Sequence, residues 1–438
     1  MKRILTAWLA VVLAGCTPGE KLGAPEPGAT PTRPTTPTAP PTSSTRLPAL
    51  PDTEPDVRVG ITIDSTRTSI GAAVEFDVQS VNGRVLASAG AGEIWQFEAK
   101  EDGRITARYN DRNVLDAPPP VRVVPRDLPF VTIDGRQYRG EVLLLSTGTK
   151  KVTAINIVDM EAYLLGVVPR EMGKRPATEI EALKAQAVAA RTYAIGNMGG
   201  HENKGFDFYA TVLDQVYGGT ADEDSIVSRA VRETRGRIIS HQGRPILAYY
   251  ASTCGGTTAA IEESWPTRAA LPYLRSRSDR IPGTDDDYYC KTSNRFNWKT
   301  EWTRQQLLDV LGTTLRTHTR GSVTSVASVD DVQITSRGPS GRATLDLKVD
   351  GRTYTLRADS IRWVLRPTPA GGILNSSRLY NVSTTRNGTV DHLTIEGGGW
   401  GHAIGMCQVG AMARARAGHS YTDILKAYYS DVTIASLY

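Results

Sequence analysis

Cysteine and histidine are scarce in this chain of 438 residues, with four and six copies respectively. Four cysteines are too few for a disulfide-built scaffold, and Cys16 lies near the N-terminus, far in sequence from Cys254, Cys290 and Cys407. No apolar run approaches the roughly 20 residues that a membrane-spanning helix needs. The net charge of +5 is also too small and too dispersed to indicate a nucleic-acid partner. The hydrophobic fraction of 40% still allows a sizeable core, and the length predicts two or three domains.

The first 16 residues have the pattern of an export signal. Lys2 and Arg3 precede a largely apolar run, from Ile4 to Ala14, that is too short to span a bilayer. The sequence LAGC, ending at Cys16, resembles the bacterial lipoprotein cleavage box. This resemblance implies a lipid on Cys16 and an exported protein anchored at the membrane, facing the periplasm or the cell wall. An ordinary signal peptide with an unmodified Cys16 is the alternative.

Residues 17–56 form a segment dominated by proline and threonine, with few apolar side chains. Such a segment cannot bury enough surface to offset its chain entropy, and proline favours extended conformations. We therefore expect a disordered tether between the membrane and the folded part, or a glycosylated stalk with the same mechanical role.

The remainder predicts an α+β protein in two parts. Residues 57–128 alternate apolar and polar side chains in short runs such as VRVGITI and IWQFEAK, which is typical of a small β-rich domain. Residues 129–438 mix strands with helices. Within them, Asp134-Gly135 indicates a hairpin, 302–312 an amphipathic helix, and 324–395 a return to strands.

The segment EALKAQAVAARTYAIG, residues 181–196, predicts a helix with small side chains on nearly every face. Neighbouring elements can approach such a helix closely on several sides, so we expect it to be central to its domain. Thr178 and Glu181 fit a capping box at its start.

Three segments carry polar residues that a core would not select. The first is Glu171 together with Gln186 and Arg191 of the alanine-rich helix. The second is AYYASTCGGTT at 248–258, and the third is GGGWGHAIGMCQVGA at 397–411. The third lacks the Gly-Lys-Ser/Thr of a phosphate-binding loop, which excludes a nucleotide site of that kind. Its glycines would instead permit a tight turn or a close approach of backbone to a sugar chain.

These segments, in this order, resemble the SpoIID/LytB family over roughly residues 130–438. The resemblance rests on YLLGVVPREM, EALKAQAVAARTYA, DQVYGG, STCGG, GWGHAIGMCQVGA and ILKAYYSDV. It implies a lytic transglycosylase that cleaves peptidoglycan glycan strands, preferably strands without stem peptides, with Glu171 as the catalytic acid and Arg191 as a further active-site residue. The alternative within the family is a non-catalytic amidase enhancer, which binds the cell wall and stimulates a partner amidase. Sporulation is not required by either function.

The chemistry is compatible with a single carboxylate. Ordinary glycosidases use two carboxyl groups, whereas a lytic transglycosylase can use one carboxylate as acid and then as base while the C6 hydroxyl closes a 1,6-anhydro ring on N-acetylmuramic acid. Partial burial beside a packed helix would raise the pKa of Glu171 and keep it protonated. The structural alternatives are a solvated Glu171 and a buried ion pair for Arg191.

Seven further residues are expected to contact the glycan: Gln186, Gln215, Tyr217, Ser252, Thr258, His402 and Gln408. For His402 and Gln408, a purely structural hydrogen-bonding role is the alternative.

No cofactor or metal is expected. Some members of the family hold zinc through histidine and cysteine in a motif that reads HSTCGGHT, but both histidine positions are lost from residues 251–258. An isolated Cys254 supplies one of about four ligands that zinc needs. A disulfide between Cys254 and Cys290 is the favoured pairing, although the sequence leaves it open. A thiol hydrolase combining Cys254 or Cys407 with His402 is a third reading, since a thiolate beside a base could act as a nucleophile.

Overall fold

The computed structural model describes residues 53–438. The predicted signal peptide, Cys16 and the predicted tether up to residue 52 lie outside these residues. Glu54, near the end of that predicted tether, accepts a hydrogen bond from the backbone N–H of Glu161 at 2.8 Å. Within 53–438, no helix is both long enough and apolar enough to cross a membrane.

Within residues 53–438, a long series of strands precedes the first helix. These strands are β1 Asp56–Ser65, β2 Thr68–Gly71, β3 Phe76–Ser80, β4 Val85–Ala89, β5 Ile94–Ala99, β6 Ile105–Tyr109, β7 Arg112–Ala117, β8 Val121–Pro125, β9 Phe130–Ile133, β10 Arg136–Arg139, β11 Glu141–Gly148 and β12 Lys151–Asp159. Most alternate buried and more exposed side chains, as their period-two sequence pattern predicts.

These strands form two sheets over one hydrophobic core. The larger sheet has the order β13-β1-β12-β11-β8-β3-β4, in which β13 is the later strand Phe208–Tyr209, and the smaller has the order β10-β9-β2-β5-β6-β7. Strands from both sides of residue 128 therefore share sheets, with β1 paired antiparallel to β12 and β8 to β11. The predicted hairpin at Asp134-Gly135 is confirmed: it joins β9 to β10, and both residues have positive φ, 48° and 80°.

The helices are α1 Met160–Met172, α2 Ile180–Asn197, α3 Ser225–Glu233, α4 Ile261–Ser264, α5 Arg304–His318, α6 Asp359–Val364, α7 Gln408–Arg416 and α8 Tyr421–Tyr428. Strands and helices together confirm the α+β class. The alanine-rich helix α2 is central, as expected, because the helices α1, α3, α7 and α8 and the strand β14 (Arg237–His241) all pack on it.

The predicted capping box at the start of α2 is wrong. Thr178 lies within a 3-10 turn, Ala177–Glu179, and no side chain caps the helix. The carboxylate of Glu181 is already occupied, because it accepts hydrogen bonds from the N–H of Tyr421 and from Lys184, both at 2.8 Å.

The later strands are β13 Phe208–Tyr209, β14 Arg237–His241, β15 Arg244–Pro245, β16 Tyr250–Ala251, β17 Asn297–Thr303, β18 Val329–Arg337, β19 Ala343–Val349, β20 Arg352–Arg357, β21 Leu379–Asn387, β22 Thr389–Gly398, β23 Met406–Cys407 and β24 Thr433–Ser436. Strands β17 to β22 pack with α5 and α6 around a second hydrophobic core. The short strands β16 and β23 pair in parallel, Tyr250 with Met406 and Ala251 with Cys407. This pairing brings the second and third polar segments of the sequence side by side.

Candidate active site

Glu171 lies in the last turn of α1 and is partly buried. Its Oε1 accepts a hydrogen bond from the backbone N–H of Val216 at 3.3 Å. Burial raises the pKa of Glu171 above its ordinary value of 4.5, while hydrogen bonds from Val216 and from the side chains of Gln408 and Tyr250 oppose that rise. A carboxyl group in this environment can carry a proton at a higher pH than a solvated glutamate can.

Two glutamines line the same position. The Nε2 of Gln408, at the start of α7, donates to the backbone carbonyl of Glu171 at 3.3 Å and to Oε1 of Gln186 at 3.4 Å. Gln186 lies on α2 and is fully buried, yet its Nε2 has no hydrogen-bond partner among the described residues. A buried donor without a partner is uncommon, and here it stands next to the candidate acid.

Gln215 and Tyr250 complete the cluster. Gln215 is buried; its Oε1 accepts from the hydroxyl of Tyr163 at 3.2 Å, and its Nε2 donates to the hydroxyl of Tyr250 at 3.0 Å. The Tyr250 hydroxyl in turn faces Glu171. Tyr250 is not among the residues singled out from the sequence, and its signal was only its position within the polar segment 248–258.

Tyr217 lies in the core. Its ring packs against the rings of Tyr138 and Tyr163, with centroids 5.6 and 5.1 Å away, and its hydroxyl donates to Asn156 at 2.9 Å. A Cβ atom at Gly166 of α1 would come within 2.5 Å of this ring, so only glycine allows the approach. The predicted glycan contact through Tyr217 has no support in this placement. The ring instead fixes the backbone segment that delivers the N–H of Val216.

Asp214 is a second carboxylate near the cluster: burial raises the pKa of Tyr193, and the negative charges of Asp214 and Glu171 add to that rise. Its Oδ2 accepts from the N–H of Tyr209 at 2.8 Å and contacts Nε2 of His201 at 3.0 Å. These bonds tie Asp214 to its own loop.

Arg191 is engaged elsewhere. Its guanidinium is fully buried and forms a bidentate pair with Glu161 at 2.8 and 2.6 Å, and it donates to the carbonyl of Arg237 at 3.0 Å. Glu161 and Glu171 are ten residues apart on α1, which is about 15 Å along a helix. The structure thus brings together Glu171, Gln186, Gln215 and Gln408, and it gives Arg191 the buried ion pair that was the structural alternative.

Ser252, Thr258 and His402 occupy different environments. Ser252 is exposed, and its carbonyl accepts from the N–H of Val409 at 3.0 Å, which joins the second polar segment to α7. The buried hydroxyl of Thr258 accepts from the N–H of Arg277 at 2.9 Å and so closes a loop. The Nδ1 of His402 accepts from its neighbour Ile404 at 3.0 Å, and burial lowers the pKa of the ring to about 4.

Trp400 is an exposed aromatic side chain that the sequence reasoning did not select. Its side chain is 42% exposed, and its backbone pairs with Thr253, next to Ser252, through hydrogen bonds of 2.8 and 3.2 Å. The guanidinium of Arg295 lies 4.1 Å from the ring centroid. The sequence signal that could have identified Trp400 is an aromatic residue placed among the four glycines of GGGWG.

Four buried side chains with metal-ligating atoms meet behind the same segments, and we call them the thiol–carboxylate cluster: Cys254, Asp279, Cys290 and Cys407. Their ligating atoms all lie within 4.8 Å of one another. The sulfurs of Cys254 and Cys290 are 3.6 Å apart, whereas a disulfide joins its sulfurs at about 2.05 Å. The hydrogen bonds of these sulfurs do not include His402, so the described residues do not form the pair that a thiol hydrolase needs.

Comparison with known families identifies two regions of the chain. Residues 148–241 match the family described as Stage II sporulation protein, and this region contains α1, α2 and Glu171. Residues 277–405 match a domain of unknown function (DUF8618), which contains most of the second hydrophobic core.

Three relatives are similar over most of this chain. Stage II sporulation protein D of Bacillus subtilis is 31% identical over 298 residues, which are 64% of this chain and 76% of the relative. A protein of the same organism named Amidase enhancer is 34% identical over 70% of this chain but only 45% of its own length. An uncharacterized protein of Brachyspira hyodysenteriae is 32% identical over 69% of this chain and 73% of its own.

Proposed function

The chain belongs to the SpoIID/LytB family, and on this premise we propose that it is a peptidoglycan lytic transglycosylase with Glu171 as its acid and base. The substrate is the glycan strand, preferably one from which the stem peptides have been removed. The observation that supports this proposal is the environment of Glu171: a partly buried carboxyl group with a raised pKa, whose neighbours are the N–H of Val216, the amide of Gln408 and the hydroxyl of Tyr250.

One carboxyl group is enough for the proposed reaction. Protonated Glu171 donates its proton to the glycosidic oxygen as the bond from that oxygen to C1 of N-acetylmuramic acid breaks. The C6 hydroxyl of the same sugar then attacks C1 and gives its proton to the Glu171 carboxylate. The products are a 1,6-anhydro end and a free hydroxyl on the leaving sugar, and Glu171 is protonated again.

The neighbouring polar groups support the two halves of this cycle. Three donors face the carboxylate after it has lost its proton, which stabilises the anion without a second charged residue. Gln186 is fully buried, so in this proposal it acts on the substrate only through the hydrogen bond by which its Oε1 holds the amide of Gln408. Trp400, exposed beside Ser252, offers a ring on which a sugar of the strand can lie.

We assign Arg191 a positioning role within this proposal. Because its guanidinium is buried against Glu161, it holds α1 against α2 at the end opposite Glu171. The residues at the catalytic end then keep their spacing.

The second candidate function is that of an amidase enhancer, which would bind the cell wall and stimulate a partner N-acetylmuramoyl-L-alanine amidase without cleaving glycan. The observation that favours this second function is the 34% identity to the Bacillus subtilis protein named Amidase enhancer. In either case we propose an extracytoplasmic protein anchored through a lipid on Cys16.

The test uses the full-length chain with peptide-free glycan strands and with intact peptidoglycan. Mass spectrometry of the soluble products distinguishes 1,6-anhydro ends from water-added reducing ends. We expect anhydro ends from the wild type, a loss of about 10²–10⁴-fold in Glu171→Gln, and retained anhydro ends in the matched carboxylate control Asp214→Asn. Circular dichroism of both variants checks that the fold is kept.

Other outcomes would replace the proposal. Water-added ends that disappear in both variants would identify a two-carboxylate glycosidase using Glu171 and Asp214. Binding of glycan without any cleavage by the wild type, together with stimulation of an added amidase, would identify the enhancer.

A further inference from the structure

We infer that the thiol–carboxylate cluster is a structural zinc(II) site. Its members come from four separate places in the chain: Cys254 follows β16, Asp279 lies in the loop that leads to Cys290, Cys290 lies in the 3-10 turn Tyr289–Thr292, and Cys407 ends β23. All four side chains are buried, at 1% exposure or less. The inference does not depend on the proposed function.

The spacing of the ligating atoms suits one tetrahedral ion. With zinc–sulfur bonds of about 2.3 Å at tetrahedral angles, two sulfur ligands lie about 3.8 Å apart. The sulfurs of Cys254 and Cys290 are 3.6 Å apart, and the Cys254 sulfur is 3.9 Å from Oδ2 of Asp279. Three thiolates and one carboxylate are a donor set that zinc accepts. Among residues 53–438 the cluster contains these four side chains and no fifth, as is typical of a closed, structural site.

Hydrogen bonds from surrounding groups fix the orientation of the side chains in the cluster, as they do for the ligands of known metal sites. The Oδ1 of Asp279 accepts from the hydroxyl of Tyr428 at 2.8 Å and from Arg414 at 3.2 Å, which leaves Oδ2 turned toward the sulfurs. The sulfur of Cys407 accepts from the backbone N–H groups of Cys254 and Gly410, at 3.3 and 3.4 Å. Such bonds fix a ligand's direction and stabilise a thiolate.

A zinc ion accounts for all four side chains, whereas a disulfide between Cys254 and Cys290 accounts for two. The bridge would leave the thiol of Cys407 and the carboxylate of Asp279 buried beside it. The zinc ion instead displaces the thiol protons, which leave to solvent, and its two positive charges offset the buried negative charges.

The site has a structural consequence for the candidate active site. Cys254 and Cys407 belong to the segments joined by the β16–β23 pairing, which carry Tyr250 and Gln408 respectively. A zinc ion would therefore lock together the two segments whose side chains reach Glu171.

The experiment measures metal content and not activity. The full-length chain is purified without chelator, and its zinc content is measured by inductively coupled plasma mass spectrometry. Separately, the metal-free, reduced protein is titrated with cobalt(II). We expect about one zinc per chain, and in the cobalt form a thiolate-to-cobalt charge-transfer band with the intense visible bands of a tetrahedral ion. In Cys290→Ser and Asp279→Asn, zinc affinity should fall by at least about tenfold in a chelator competition.

Met406→Leu is the matched control, because Met406 is a buried sulfur residue beside Cys407 that does not belong to the cluster. It should keep the wild-type zinc content. The inference is overturned if the reduced wild type binds neither zinc nor cobalt, if Cys290→Ser keeps wild-type affinity, or if peptide mapping of the native zinc-free protein finds Cys254 bonded to Cys290. The cobalt titration uses the wild type alone, so a variant that fails to fold does not remove the test.

Discussion

Arg191 offers the sharpest separation of a catalytic residue from a structural one. Resemblance to the family implies an active-site role, whereas the geometry gives it a buried bidentate ion pair with Glu161. The informative change is Arg191→Met, which keeps an unbranched side chain of similar reach but removes the charge and all guanidinium donors.

The expected loss of unfolding free energy in Arg191→Met depends on the carboxylate of Glu161, which stays buried. Glu161 is 8% exposed and would keep two donors, the N–H of Gly236 at 3.1 Å and the hydroxyl of Tyr438 at 2.6 Å. Loss of one member of a buried ion pair costs about 3–5 kcal/mol of unfolding free energy, because the other charge stays out of water. With two donors left on Glu161 we expect the lower end, about 3 kcal/mol.

A double variant tests the cause. Adding Glu161→Gln to Arg191→Met removes the stranded charge, so the double variant should be more stable than the sum of the single changes predicts, by about 1–3 kcal/mol. Urea unfolding followed by circular dichroism gives these free energies for the four proteins of the cycle. Arg191→Lys, which keeps the charge but not the bidentate geometry, should fall between wild type and Arg191→Met.

The activity of Arg191→Met shows whether Arg191 has a structural or a catalytic role. Per folded molecule, Arg191→Met should form anhydro product within about tenfold of the wild type, whereas loss of a residue that stabilises the transition state costs about 10²–10³-fold. Unchanged unfolding free energy together with such a loss would refute the structural assignment and return Arg191 to the catalytic machinery.

Three further predictions concern Gln408, the packing of Gly166 and the protonation of His402. Gln408→Met removes a hydrogen bond that lowers the pKa of Glu171, so the alkaline limb of the pH–rate profile should move to higher pH; a shift to lower pH would contradict the assignment. Gly166→Ala should destabilise the protein by about 1–3 kcal/mol in urea unfolding because its Cβ would strike Tyr217, while Gly312→Ala, a helical glycine in open space, should stabilise it by up to about 1 kcal/mol. The lowered pKa of His402 means that its contribution to stability is present above about pH 6.5 and is lost as the pH falls toward about 4. The wild type should therefore lose about 2 kcal/mol more unfolding free energy than His402→Asn between about pH 8 and pH 5, and equal losses would show that the ring is not held neutral.

The features of the fold that the sequence predicted correctly are those set by residues close together in the chain. The alternating strands, the central position of α2 and the hairpin at Asp134 follow from periodicity, side-chain size and turn chemistry, each of which acts within a few residues. The capping box at Thr178 failed for the opposite reason: Tyr421, 240 residues away from Glu181, supplies the hydrogen bond that occupies this carboxylate.

The site shows the same division. Glu171, Gln186 and Gln408 were selected from the sequence because a core would not choose them at those places. Their meeting depends on the parallel pairing of β16 with β23, whose partners Tyr250 and Met406 are far apart in the chain. Pairing at that separation leaves no periodic signature in either short strand. For the same reason, the sequence did not predict that Asp279, Cys290 and Cys407 lie next to Cys254.

In the proposed reaction one carboxyl group acts twice, and the position of Glu171 at the end of α1 suits that role. The last turn of a helix carries partial negative charge on its free carbonyl groups, which disfavours a nearby carboxylate and adds to the effect of burial. Both influences favour the protonated form of Glu171, which the proposed mechanism needs until the glycosidic oxygen takes the proton. Once the anion has formed, the N–H of Val216 and the side chains of Gln408 and Tyr250 stabilise it. Burial and the helix end favour the protonated form, whereas the three donors favour the anion, so the two forms lie closer in free energy. A group that gives up a proton and recovers it in one turnover requires that balance. A second carboxylate in hydrogen-bonding contact would disturb it, because two like charges drive their pKa values apart and divide the two roles between them.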